Sequence, residues 1–195
     1  PDGKAPEVYF WQDKRGGYWL DPASEGARNY TLEFSKKMID LGFDELQFDY
    51  IRFPSDGDVE NIIYPVWNGK TGRCKVIQSY FEFLSKNLKA HNPEIILSVD
   101  LFGYAALGID TGIGQCIESI GNNFEYVSFM VYPSHYYSGL YLRADTAKNL
   151  PEINFSVHQA RSNPDVVVER SLQYAHDFFE GLIATTTAKI STTTP

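Results

Sequence analysis

Two aspartates occupy the same position relative to the strands that carry them. Asp49 lies near the end of Leu46-Gln47-Phe48-Asp49-Tyr50-Ile51, and Asp100 near the end of Ile95-Ile96-Leu97-Ser98-Val99-Asp100-Leu101. Side chains alternate along a strand, so Gln47 and Asp49 share one side and Leu46, Phe48 and Tyr50 the other. Ser98 and Asp100 likewise oppose Leu97, Val99 and Leu101. Ser128, Met130 and Tyr132 oppose Val127, Phe129 and Val131. The apolar sides are expected to pack on helices. The mixed sides then share an interior that becomes polar at the C-terminal ends of the strands, where (β/α) folds keep their active sites.

Two carboxylates at such a mouth suit glycosidic bond cleavage. One must be ionised, to attack or stabilise an oxocarbenium-like centre, and the other protonated, to release the leaving oxygen. Arg52 follows Asp49 and could pair with a carboxylate or bind a substrate hydroxyl. Trp11, Trp19, Tyr50, Tyr104, Tyr132 and Tyr136 offer flat faces for sugar rings, and His135 sits just after Tyr132-Pro133. Plain structural roles compete with each of these. A strand-end Asp commonly forms a turn or caps a helix, Arg52 fits a structural ion pair, and a loop His is commonly polar surface. Two strand-end Asp residues in phase are harder to explain as turn formers than one. No cofactor motif is present: Gly112-x-Gly114 is too short for a phosphate loop. His91, His158 and His176 lack metal-ligand partners at useful spacing, so no metal site is expected.

The elements that must position these residues alternate. Tyr9-Phe10-Trp11 predicts a short first strand. Ser24 predicts an N-cap, and Tyr30, Phe34, Met38 and Leu41 form one apolar helical face that ends at Gly42. Residues 43–51 predict a strand. Val76, Tyr80, Leu84 and Leu88 repeat every four residues as a helix, and 95–101 predict the next strand. Residues 114–120 predict a weaker helix, 126–132 a strand, and 164–179 a last helix with Pro164 in its first turn. Residues 134–163 show no clear period. Residues 1–181 are expected to be one domain, and the Thr-rich 182–195 a tail or linker. Strand–helix alternation implies a parallel sheet, either a (β/α)8 barrel or an open doubly wound sheet. A barrel usually needs about 250 residues, so the 195 residues here would supply only part of one.

With 17 Lys and Arg against 25 Asp and Glu, the net charge is −8. That balance argues against a general nucleic-acid or anionic-membrane binder. No apolar run approaches the roughly 20 residues of a membrane span, and the opening Pro1-Asp2-Gly3-Lys4 lacks the apolar core of a signal peptide. Cys74 and Cys116 are too far apart for a zinc knuckle or redox pair. Two free thiols are the simpler expectation, with one disulfide the alternative.

One segment is more distinctive: Tyr18-Trp19-Leu20-Asp21-Pro22, continued by Gly42-Phe43-Asp44-Glu45-Leu46-Gln47-Phe48-Asp49-Tyr50-Ile51-Arg52-Phe53-Pro54-Ser55-Asp56-Gly57. It closely resembles a bacterial glycoside hydrolase domain family, formerly a domain of unknown function, related to α-amylase-like and melibiase-like (β/α)8 barrels. Ser98-Val99-Asp100-Leu101-Phe102-Gly103-Tyr104 and Met130-Val131-Tyr132-Pro133-Ser134-His135-Tyr136 fit the same family in order. A weaker block joins Asn163-Pro164 to Ser171-Leu172 and Ala175.

The resemblance implies a TIM-type barrel, of which this chain supplies about strands 3 to 7 with their helices. It implies action on a polysaccharide or surface glycan at an extracellular or cell-surface location. By analogy Asp49 takes the nucleophile's place and Asp100 that of the acid/base, with Arg52, Tyr132, His135, Trp11 and Tyr104 binding substrate. The family normally has strands before Tyr9 and a Trp-Leu-Gln-Asp-type strand after the last helix. Here a Thr-rich segment stands in that latter position, so missing segments or a partner chain are expected to complete the barrel. A non-catalytic carbohydrate-binding or structural cell-surface domain is the alternative. A metal-dependent deacetylase is a third reading, against which the absent His/Asp cluster counts.

Overall fold

The structure is a computed structural model describing residues 9–121 and 123–192. Its centre is a three-stranded parallel sheet of β1 (Glu45–Phe48), β2 (Ile96–Phe102) and β3 (Tyr126–Met130), in the order β1-β2-β3. Gln47 pairs with Ser98 and Phe48 with Val99; on the other side of β2, Asp100 pairs with Ser128. Helices α1 (Glu25–Asp40) and α2 (Arg73–His91) form the crossover layer and pack against each other.

Sequence chemistry explains the ends of these elements. Ser24 caps α1 by accepting the Ala27 N–H, and Gly42 follows the helix in the left-handed region at φ 95°, which a Cβ would disfavour. Helix α2 buries Val76, Tyr80, Leu84 and Leu88, the stripe expected from their spacing, together with Ile77 and Phe81. These meet Phe48, Leu97, Val99 and Leu101 from the apolar side of the sheet in one core. The alternation expected of β2 therefore holds.

Four expectations are corrected. Residues 9–11 form no strand; an isolated bridge between Gln12 and Tyr18 stands there instead. In α1 the buried face is Ala27, Leu32, Ser35 and Ile39. Tyr30 is 68% and Leu41 73% exposed, so the stripe expected to enter the core faces outward. Leu32 and Ile39 make the core contact with Ala27 and Ser35 between them, a face offset from the larger aromatic stripe. The helix expected over 114–120 shrinks to one 3-10 turn at Ile117–Ser119. Finally, Cys74 and Cys116 form a disulfide with Cα atoms 5.6 Å apart. The loop after β2 folds back over the start of α2, and sequence spacing gave no hint of that return.

The stretch without a clear period holds an antiparallel pair, β4 (Leu140–Leu142) and β5 (Ile153–Phe155), then α3 (Val157–Ser162) with a Ser156/Gln159 capping box. Helix α4 (Pro164–Thr192) starts at the expected proline and continues through most of the Thr-rich segment. It packs on the turn Gly103–Leu107 that follows β2. A buried bond between the Tyr136 and Ser171 hydroxyls, 2.8 Å, ties α4 to the loop after β3. The fold is thus mixed α/β, with a parallel sheet and no closed barrel among the described residues.

Candidate functional site

The sheet face opposite the helices is polar. Ser98 Oγ donates to Glu45 Oε1 at 2.6 Å, and one step further along Gln47 Nε2 donates to Asp100 Oδ1 at 2.5 Å. These bonds put Glu45, Gln47, Ser98 and Asp100 on one face. Asp49 directly follows Phe48, the last paired residue of β1, whose partner Val99 precedes Asp100. Extending the register aligns Asp49, one residue past the end of β1, with Asp100, which is still paired inside β2.

Backbone geometry at Asp49 is unusual. Tyr50 adopts φ 59°, a left-handed conformation that is an outlier for a bulky residue. Its N–H donates to Asp49 Oδ1 at 2.7 Å. The turn carries Tyr50 out of the core and brings Arg52 under two rings. The Arg52 guanidinium lies 4.9 Å from the Trp19 ring centroid and 5.0 Å from that of Tyr50, within cation–π range. Arg52 Nη1 also donates to the Phe53 carbonyl and to Ser55 Oγ. Burial pulls the Arg52 pKa below its ordinary value, while Tyr50, Asp56 and Asp49 oppose that pull. No ion pair joins Arg52 to Asp49 among the described residues; the arginine is held by stacking and neutral acceptors.

Trp19 is fixed in turn by Asp13, whose Oδ2 accepts the indole N–H at 3.1 Å. That bond, followed by the Gly17 N–H, holds the Asp13 carboxyl below the usual carboxylate range. A cavity of about 400 Å³ lies here, lined by Asp13, Trp19, Asp49, Tyr50 and Arg52 and backed by α1 and Tyr80. Asp100 does not line it; it opens instead on the polar sheet face beside Gln47.

The other expected residues divide into two groups. Tyr132 is exposed at the end of β3, with its ring edge-on to His135 at 5.1 Å, and His135 stacks over Phe102 at 6.4 Å. This second aromatic cluster flanks the central strand opposite Trp19, Arg52 and Tyr50. Trp11 and Tyr104 sit elsewhere. Trp11 donates its indole N–H to the Asp58 carbonyl, bracing the loop around Gly57. Tyr104 is buried, packs against Tyr136 and Tyr137, and accepts the Ser138 N–H. Tyr136 is buried as well. The rings of Tyr104 and Tyr136 present no open face to a substrate.

Gln115 escaped the sequence reading. It is 2% exposed, and its amide connects the ends of the two strands that bear the carboxylates. Oε1 accepts the Phe102 N–H at 2.8 Å; Nε2 donates to the carbonyls of Asp100 and Ile51 at 3.3 and 3.4 Å. A glutamine in a glycine-rich loop carries no sequence signal for such a role. The adjacent loop is braced by Asp110 Oδ1, which accepts the N–H groups of Gly112, Ile113 and Gly114, and by the Cys74–Cys116 bridge. Arg73 stacks on Phe53 and Trp67 and donates to the Gly112 carbonyl. Cys74, Asp110 and Cys116 cluster closely enough to resemble a metal site, but both sulfurs are committed to the disulfide.

A family model described as "putative glycosyl hydrolase domain" matches residues 4–190. No curated protein matches the chain. Among the described residues no helix is long and apolar enough to cross a membrane.

Proposed function

From the chain's membership of this glycosyl hydrolase domain family, we propose that it cleaves glycosidic bonds with Asp49 and Asp100 as the carboxylate pair. The observation that carries this reading is their equivalent placement on adjacent parallel strands, with the Gln47 amide gripping Asp100. Asp49 attacks the anomeric carbon; Asp100 protonates the leaving oxygen and then activates water. With Asp49 as the nucleophile the reaction retains the anomeric configuration, a double displacement that needs the two carboxyl groups about 5–5.5 Å apart when substrate is bound. Trp19 and Tyr50 on one flank and Tyr132 and His135 on the other provide stacking and polar contacts for the sugars. Arg52 supplies positive charge beside Asp49.

The finer fold in this proposal is an arc of a (β/α)8 barrel. Three observations support it: strand order follows chain order, β1 pairs only with β2 among the described residues, and Tyr30 and Phe34 of α1, with Leu41 after it, point outward. A preceding strand–helix unit, from the same chain or a partner, would cover both edge and stripe. The disulfide suits an oxidising, extracellular or cell-surface setting.

A carbohydrate-binding domain without turnover is the second reading. It is favoured by Asp100 lying outside the cavity that Asp49 lines. A panel of aryl glycosides and polysaccharides, incubated with the protein and with Asp49→Asn and Asp100→Asn variants, separates the two. The hydrolase reading predicts turnover by the parent and a loss on the order of 10²–10⁴-fold in each variant. Glycan binding with no turnover, unchanged in both variants, would support the second reading.

A further inference from the structure

A cavity of about 830 Å³ lies away from Asp49 and Asp100, between α4 and the chain joining β4 to β5. That volume is within the range of small-ligand sites. We propose that it binds an oxyanion-bearing saccharide, with Arg170 and Arg143 holding the anionic group.

Arg170 carries the argument. It projects from α4, is only 9% exposed and lines the cavity. One of its donors, Nη1, is used by the Pro151 carbonyl at 2.9 Å. Among the described residues it forms no ion pair, and Nε and Nη2 have no protein acceptor. No buried side-chain nitrogen or oxygen of those residues lacks a partner. The remaining Arg170 donors are therefore not sealed in protein; they open to the cavity. A guanidinium presents its N–H groups as a planar fork that matches a carboxylate or sulfate oxygen pair. Withdrawing such a cation from water without a counter-charge is unfavourable, and a bound oxyanion would supply one.

The acids in the cavity wall are already engaged. Asp177 Oδ1 accepts from Lys148 Nζ and Gln173 Nε2. Asp145 Oδ1 accepts the N–H groups of Ala147 and Lys148. Arg143, exposed on the same wall, has no carboxylate partner among the described residues. Tyr141 and Tyr174 are exposed beside the two arginines and offer ring faces to a sugar. The saccharide half of this assignment rests on the glycan reading above. The oxyanion half does not.

Isothermal titration of the protein with trigalacturonate, its neutral methyl ester and a sulfated trisaccharide tests the proposal. Saturable binding of an anionic probe, lost on methyl esterification, is expected. Stronger binding of trigalacturonate identifies a carboxylate ligand; stronger binding of the sulfated sugar identifies a sulfate ester. Arg170→Gln should weaken binding at least about tenfold. Arg143→Gln, at an exposed position, should do so too, which keeps the test valid if the first variant misfolds. The readout is the dependence of binding on the probe's charge and on Arg170 and Arg143, with no turnover involved, so a failed hydrolase assignment leaves this result intact. Inorganic sulfate displacing the sugar would confirm recognition through the oxyanion. No binding of either anionic sugar, or equal binding of the methyl ester, would overturn the proposal, as would parent-like affinity in both arginine variants.

Discussion

Replacing Gln115 by Ala tests whether one buried amide holds the two carboxylate-bearing strand ends together. The mutation strands the Phe102 N–H, now 2.8 Å from Oε1, in a site only 2% exposed. A buried, unsatisfied N–H costs about 1–3 kcal/mol. The carbonyls of Asp100 and Ile51 lose donors at 3.3 and 3.4 Å, long bonds that add on the order of 0.5 kcal/mol each. The expected destabilisation is therefore about 2–4 kcal/mol, read as a lower urea midpoint with an unchanged m-value. Gln115→Glu keeps an acceptor for Phe102 but turns a carboxylate toward two carbonyl oxygens, so it should not restore stability at neutral pH. A loss below about 0.5 kcal/mol in the alanine variant, the range of ordinary surface substitutions, would refute the reasoning. Full stability in the Glu variant would refute the donor half of it.

Three further outcomes follow from the same structure. Cys74→Ser removes a bridge spanning 42 residues; chain-entropy reasoning puts the stability loss near ~4 kcal/mol, and urea titration of oxidised protein, reduced protein and variant measures it. Burial raises the hydroxyl pKa of Tyr136, Tyr80 and Tyr64. Their stabilising contribution is complete below the ordinary tyrosine pKa of about 10 and is lost as pH rises toward the folded values. Melting temperature should thus fall above about pH 10, and less steeply in Tyr136→Phe. Gly139→Ala should be strongly destabilising in a thermal melt, because φ is 78° and a Cβ would collide with the Phe155 carbonyl.

What the sequence revealed depended on how far side-chain periodicity coincides with burial. Strand β2 and helix α2 were legible because Leu97, Val99 and Leu101, and Val76, Tyr80, Leu84 and Leu88, are apolar at their structural period and are buried. Ser24 and Pro164 marked helix starts by local backbone chemistry, which needs no tertiary context. Helix α1 misled because its largest apolar residues, Tyr30 and Phe34, lie on the outer face while Leu32 and Ile39, with Ala27 and Ser35, make the inner contact. The candidate carboxylates were legible as an in-phase pair. Their supports were not. Gln115 reaching Ile51 and the Cys74–Cys116 bridge depend on distant segments meeting, while the left-handed Tyr50 and the Asp13–Trp19 bond are local but have no residue-type signature. Tyr104 and Tyr136 misled in the other direction, since an aromatic near a strand end serves packing as readily as stacking.

The central claim is that Asp49 is the nucleophile of a retaining glycosidase. The most direct test is mass spectrometry of the protein after incubation with the 2-deoxy-2-fluoro glycosyl fluoride of whichever sugar it hydrolyses. The account predicts a single glycosyl adduct on the peptide containing Asp49, formed slowly and absent in Asp49→Asn. Turnover with inversion and no adduct, or an adduct on another residue, would contradict it.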